Sequence, residues 1–176
     1  MRIKPFMDDY NSLILAQIGG TIASLNAMTD KNEAAIDSLN DLIETLKDGE
    51  RGFRTAAEHV QDPELRTLFD MYAQQRARFA AELNNEVLRR GGDPAKSGHV
   101  SASFHRGWIN LKSIVTGKDE AAIVAECERG EDSAVSNYQD ALKKNLPSDL
   151  LSIVEGQYQD VKAAHDTIRD LKRSSG

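Results

Sequence analysis

Apolar residues recur at steps of three and four along four long stretches of this chain, a period that admits little besides packed α-helices. In the first stretch they are Ile36, Leu39, Ile43, Leu46, Phe53, Ala57 and Val60, interrupted by one seven-residue gap. The second carries Leu65, Phe69, Tyr72, Phe79, Leu83 and Val87. The third carries Ile123, Cys127, Val135, Tyr138 and Leu142, and the fourth Leu151, Val154, Tyr158, Val161, Ile168 and Leu171. Ala, Leu, Glu, Arg and Gln fill the positions between, and these residues lose little side-chain freedom in a helix.

Punctuation residues bound the stretches. Asp30-Lys31-Asn32-Glu33 reads as a helix start, with Asp30 capping and Glu33 reaching back. Asp62-Pro63 ends the first helix and opens the second, since proline at the first helical position sacrifices no hydrogen bond. So short a link makes the two helices antiparallel neighbours. Gly91-Gly92 supplies a left-handed stop. Asp93 to Gly98 reads as a loop, and Val100, Phe104, Trp108, Leu111 and Val115 mark a shorter helix closed by Gly117. Asp119 opens the third long helix, and Asn145-Leu146-Pro147-Ser148 turns the chain into the fourth. The spacing predicts helices over 32–61, 64–90, 120–144 and 148–172, with a crossover helix over 99–115. Two helical hairpins joined by a long crossover is the up-down-down-up connectivity of ferritin-like four-helix bundles. Residues 30–173 are expected to form that all-α bundle and residues 1–29 an N-terminal arm.

The 176 residues suffice for one domain with a sizeable core. A net charge of −6 argues against nucleic-acid binding, which needs a basic face to displace counterions. The single cysteine, Cys127, excludes an intrachain disulfide and a Cys-rich zinc site, and fits a reducing cytoplasm. Arg2 and Lys4 precede an apolar run from Leu13 to Ala23, as in a signal peptide. However, Asp8, Asp9 and Asn11 intervene, no small-x-small cleavage site follows, and the run is too short to span a bilayer. It is expected to pack on an outer groove of the bundle or to mediate a homodimer, because the four-helix core is already complete. No membrane partner is expected.

The residues that break the apolar stripe carry the most information. Glu50 occupies the gap between Leu46 and Phe53. Arg76 lies between Tyr72 and Phe79, Glu131 between Cys127 and Val135, and His165 between Val161 and Ile168, with Lys162 one turn before it. Each is near mid-helix, so all four helices bring a polar group to one level. Charges buried singly cost several kcal/mol each, so these must be paired or metal-bound. A di-metal carboxylate bundle uses one Glu from each of two helices and Glu-x-x-His from each of the others. Here Glu50 and Glu131 keep the single-Glu places, while Arg76-Ala77-Arg78-Phe79 and Lys162-Ala163-Ala164-His165 stand where Glu-x-x-His belongs. Two ligand carboxylates have become cations and one His has become Phe. A salt-bridge network of Glu50, Arg76, Glu131, Lys162 and His165 is therefore expected in place of a metal centre, and a guanidinium can bind carboxylates in bidentate fashion.

Blander readings stand beside this one. Glu50, Arg76 and Glu131 as edge residues would snorkel to water. Lys162 has a surface partner available in Asp166. His165 is more ordinary as a hydrogen-bonded core histidine than as a ligand, and Cys127 as a small buried hydrophobe. His59, His99 and His105 have no ligand spacing, and Trp108 with Phe104 reads as crossover packing. Glu82, Glu86, Glu126 and Glu128 read as a solvated face.

Several runs match a known family in order: Leu39-Asn40-Asp41-Leu42-Ile43-Glu44, Asp48-Gly49-Glu50-Arg51-Gly52-Phe53, Ala73-Gln74-Gln75-Arg76, His105-Arg106-Gly107-Trp108 and Glu126-Cys127-Glu128-Arg129-Gly130-Glu131-Asp132. The chain resembles the DUF2383 family of bacterial ferritin-like four-helix-bundle proteins of unknown function over about residues 31–173. The resemblance implies a ferritin-like fold and a bacterial source. It supplies no reaction, and its association with bacterial stress rests on fold analogy.

No nucleophile–base motif, phosphate loop or zinc spacing is present in the sequence. The leading expectation is a metal-free, cofactor-free structural or interaction protein rather than an enzyme, with no protein partner named by the sequence. The alternative is a metal-binding or oxidoreductase bundle. In it Glu50, Glu131 and His165, with Cys127 one turn from Glu131, would hold one ion such as zinc or copper. Arg76 at the same level argues against that set, because a fixed cation repels a metal.

Overall fold

The computed structural model describes residues 4–94 and 119–174, with side chains from residue 15 onward. The described residues hold four α-helices and no strand: α1 (Lys4–His59), α2 (Pro63–Arg89), α3 (Glu120–Leu142) and α4 (Ser148–Ser174). The crossover helix expected over 99–115, with His99, Phe104, His105 and Trp108, lies outside the described residues. The chain divides into two units, Met1–Ala34 and Ala35–Gly176. None of the described helices is long and apolar enough to cross a membrane.

One boundary differs from expectation. α1 does not start at Asp30 but runs unbroken from Lys4. Asp30 and Glu33 spell a cap, yet a cap motif stops nothing when the residues before it also favour helix. No proline lies between Phe6 and Glu58, and the flanking Thr29 uses its hydroxyl to bond the Leu25 carbonyl one turn back at 3.0 Å. Elsewhere the punctuation holds. Asp62 caps α2, its carboxylate accepting from the Glu64 amide at 2.7 Å and the Leu65 amide at 3.4 Å. At the other end of α2, Gly91 takes φ +78°. The Gly91 amide donates to Leu88 O and the Gly92 amide to Val87 O, each at 3.0 Å, a Schellman closure. Gly92 then packs so tightly that a Cβ there would meet Ile36 Cγ2 at 2.8 Å.

The core of Ala35–Gly176 consists of two apolar clusters, each fed by all four helices. One holds Leu39, Leu42, Ile43 and Leu46 of α1, Leu83 and Val87 of α2, Tyr138 and Ala141 of α3, and Leu150 and Val154 of α4. The other holds Phe53 and Ala57 of α1, Phe69 and Tyr72 of α2, Ile123 and Cys127 of α3, and Ala164 and Ile168 of α4. The helix directions follow from the order in which each enters the clusters. α1 and α4 pass from the first to the second, and α2 and α3 from the second to the first. That is an up-down-down-up four-helix bundle. α2 and α3 run parallel.

Candidate functional site

Between the two clusters lies a polar level. Arg76, midway along α2, is 1% exposed, and Glu131, midway along α3, is 0% exposed. Arg76 Nη2 donates to Glu131 Oε2 at 2.5 Å, and Nη1 donates to Gln75 Oε1. The guanidinium also lies over the Phe53 ring, 5.8 Å from its centroid. Room for so large a side chain comes from α1. Gly49 is buried there, and a Cβ on it would lie 3.4 Å from Arg76 Cγ. Three helices thus shape the site: α3 supplies the carboxylate, α2 the cation, and α1 a missing side chain and an aromatic face.

The pair is joined by one hydrogen bond, not the bidentate fork expected of an arginine. Arg76 Nε and Glu131 Oε1 are buried and make no hydrogen bond within the protein. Burial is the largest influence on Glu131 and lifts its carboxyl above the usual range, with the Arg76 charge and hydrogen bond opposing it. Cys127, one turn earlier on α3, is fully buried. Burial first, then the Glu131 and Glu126 charges, push its thiol well up. Burial keeps it a thiol, which disfavours it as a nucleophile.

The other members of the expected network sit elsewhere. Glu50 is a quarter exposed and pairs with Arg54 on its own helix at 2.7 Å. Lys162 is exposed and pairs with Asp166 at 2.6 Å. His165 faces Asp132 through Nε2 at 2.8 Å and Asp166 through Nδ1 at 3.2 Å. It still acts on Glu131 through space, as one of the charges that lower that carboxyl. The expected five-residue network is therefore a buried pair, Arg76 and Glu131, with a surface cluster of Lys162, His165, Asp132 and Asp166 outside it. The donors of the alternative metal set are not assembled either. Among the described residues no three His, Cys, Asp or Glu side chains gather as a metal site.

The cause is a one-residue difference in which face turns inward. In α4 the buried residues are Leu150, Val154, Gln157, Val161, Ala164 and Ile168, an unbroken alternation of four and three. Ala164 takes the inward place and His165 its flank. Gln157 takes another, with Tyr158 beside it. In α1, Gly49 is buried and Glu50 is not.

Gln157 belongs to a second polar chain, which runs from the buried Tyr138 to the exposed Glu82. The Tyr138 hydroxyl donates to Gln157 Oε1 at 2.7 Å, and Gln157 Nε2 donates to Glu82 Oε2 at 2.7 Å and to Phe79 O at 3.4 Å. It ties α2, α3 and α4 together close to the ion pair. A polar residue at seam spacing between Val154 and Val161 was its sequence signal. Glu86 and Glu126 also depart from expectation: both are 5% exposed, not a solvated face. An arginine three residues on covers each, Arg89 at 2.9 Å from Glu86 and Arg129 donating to Glu126.

Chemically, the site offers a carboxylate engaged by a guanidinium, a neutral thiol and a neutral phenol, in an interior between two apolar clusters. No general base stands beside a nucleophile there. No curated protein matches the chain. The family model described as "Domain of unknown function (DUF2383)" matches residues 34–144, which run from α1 through α2 and α3. The four-helix chain built around Arg76 and Glu131 belongs to the DUF2383 family.

Proposed function

We propose that this protein is a structural or interaction protein whose ferritin-like bundle works without a metal, the Arg76–Glu131 pair occupying the level where di-metal bundles bind their ions. One observation carries the reading: a guanidinium lies 2.5 Å from the most deeply buried carboxylate of the described core. A cation placed there repels a metal ion and already satisfies the charge that a ligand carboxylate would bring. The elevated Cys127 thiol supports it, since a thiol must lose its proton to bind a metal. A bacterial cytoplasm and a part in stress physiology complete the proposal, the latter by fold analogy.

Elemental analysis of protein purified from its native host, after mild chelation, tests this. The expected result is no stoichiometric transition metal. One tightly held ion per chain, lost on Glu131→Gln, would reverse the reading.

A further inference from the structure

Upstream of the bundle stripe, α1 carries a second apolar stripe at Leu15, Ile18, Ile22 and Leu25. The steps are three, four and three, as in a coiled-coil seam. Leu15 is 69% exposed, Ile18 50%, Ile22 52% and Leu25 57%, and Met28 beyond them is 66% exposed. Within Ala35–Gly176 the three-four steps at Leu39, Ile43 and Leu46 are wholly buried.

The segment is a poor helix by itself. Gly19 and Gly20 stand side by side within it, and neither has an atom of another side chain close to where a Cβ would be. Helices of this composition are held by packing, not by propensity. Something must therefore cover the stripe, and two features point to a second copy of this chain.

The first is charge. Residues 10–29 contain no Asp, Glu, Lys or Arg. A charged partner gains nothing there, while two identical copies meet without repulsion. The second is order. Leu15-Ile18-Ile22-Leu25 reads the same in both directions, with its midpoint at Gly20. Two antiparallel copies crossing at Gly20 put Leu15 against the partner's Leu25 and Ile18 against the partner's Ile22. Each layer then pairs like with like, and each contact occurs twice, as twofold symmetry requires. A parallel pair would place identical residues together as well, but its mixed Leu and Ile in the two seam positions favours no single strand number.

We propose that residues 15–25 form an antiparallel helix pair with the same segment of a second copy. The proposal deepens the interaction reading by naming the partner, and it does not depend on the metal content of the bundle, so the two can fail separately.

Sedimentation of the full chain over tens of micromolar tests it. A concentration-dependent dimer is expected, and Ile18→Asn with Ile22→Asn should return it to monomer. Those side chains are already exposed in the single chain, so the variant's bundle should melt as the wild type does. Orientation is read by oxidative cross-linking. Leu15→Cys mixed with Leu25→Cys should cross-link efficiently, and Leu15→Cys alone should not; Cys127 is buried and does not compete. A monomer at all concentrations overturns the proposal. So does a dimer indifferent to the two asparagines, cross-linking of Leu15→Cys with itself only, or flotation with phosphatidylglycerol vesicles in place of self-association.

Discussion

Arg76 on α2 and Glu131 on α3 meet at 2.5 Å in the layer that divides the bundle core in two, and both are at most 1% exposed. Two parallel helices are thereby tied at mid-height by a contact that apolar side chains could replace in volume but not in register. Slipping α2 against α3 by one turn would strand both charges in an apolar cluster. The pair is a device of specificity more than of net stability, since desolvating both charges offsets most of their attraction.

A mutational contrast follows. Arg76→Met removes the cation alone and leaves Glu131 buried without its partner. The expected loss is about 3–5 kcal/mol, read from urea midpoints. Adding Glu131→Leu removes the stranded carboxylate and should recover most of that loss. If the double variant is as unstable as the single, the ion pair contributes net stability and the argument from register fails.

The sign of the pH dependence is unusual for a salt-bridged protein. Glu131 has a raised pKa in the fold, so on acidification the folded state takes up that proton before the unfolded state does. Its contribution therefore rises as pH falls through the folded value toward the unfolded value of about 4.3. Asp166 behaves oppositely. Hydrogen bonds from Lys162, then from His165, lower it to about 2. Its contribution is present above the unfolded value of about 3.9 and is lost as pH falls from there toward about 2. Asp166→Asn should flatten the acid limb below about pH 4 and leave the curve between pH 5 and 7 unchanged. A loss of stability as pH falls from about 5 to 3 that vanishes in Glu131→Gln would show the Glu131 shift to have the other sign.

Much of this was legible in the chain. A three-four apolar period over four stretches leaves few alternatives to a bundle, and Asp62-Pro63 and Gly91-Gly92 mark their boundaries by chemistry that depends only on near neighbours. The register of the stripe was less legible. Glu50 and His165 each flank an inward residue, Gly49 and Ala164, that is too small to signal burial by its own hydrophobicity. Arg76 and Glu131 were recoverable because both fall on the stripe itself. The start of α1 was not, because Asp30 and Glu33 look the same whether or not the preceding residues are helical.

Glycines separate two kinds of position. A Cβ at Gly92 would lie 2.8 Å from Ile36 Cγ2 and 3.1 Å from Val87 Cγ1, both stiff branched side chains. Gly92→Ala should cost about 1–3 kcal/mol, as overpacking does. Gly20 has nothing near its Cβ position, so Gly20→Ala should raise helicity in the far-ultraviolet circular dichroism spectrum. Equal effects at both sites would mean that conformational freedom, not contact, governs them.

The buried Tyr138–Gln157 bond offers the cleanest test of how the interior treats unpaired polar atoms. Gln157 Oε1 accepts from the Tyr138 hydroxyl at 2.7 Å, while its amide nitrogen serves Glu82 and the Phe79 carbonyl. With both acceptors on the nitrogen side, flipping the amide brings no relief. Tyr138→Phe therefore leaves Gln157 Oε1 without a donor in a residue only 3% exposed. A loss of about 1–3 kcal/mol is expected, well above the usual net worth of one hydrogen bond. Pairing Tyr138→Phe with Gln157→Leu removes the stranded oxygen, and Glu82, which is exposed, turns to water. The double variant should be the more stable of the two, with the same denaturant slope. Tyr138→Phe should also weaken the alkaline limb: burial pushes the phenol up, so wild-type stability falls once pH passes the unfolded value of about 10, and the phenylalanine removes that term. A double variant less stable than Tyr138→Phe would show that Gln157 holds α4 to α2 through Glu82 and Phe79, independently of the tyrosine.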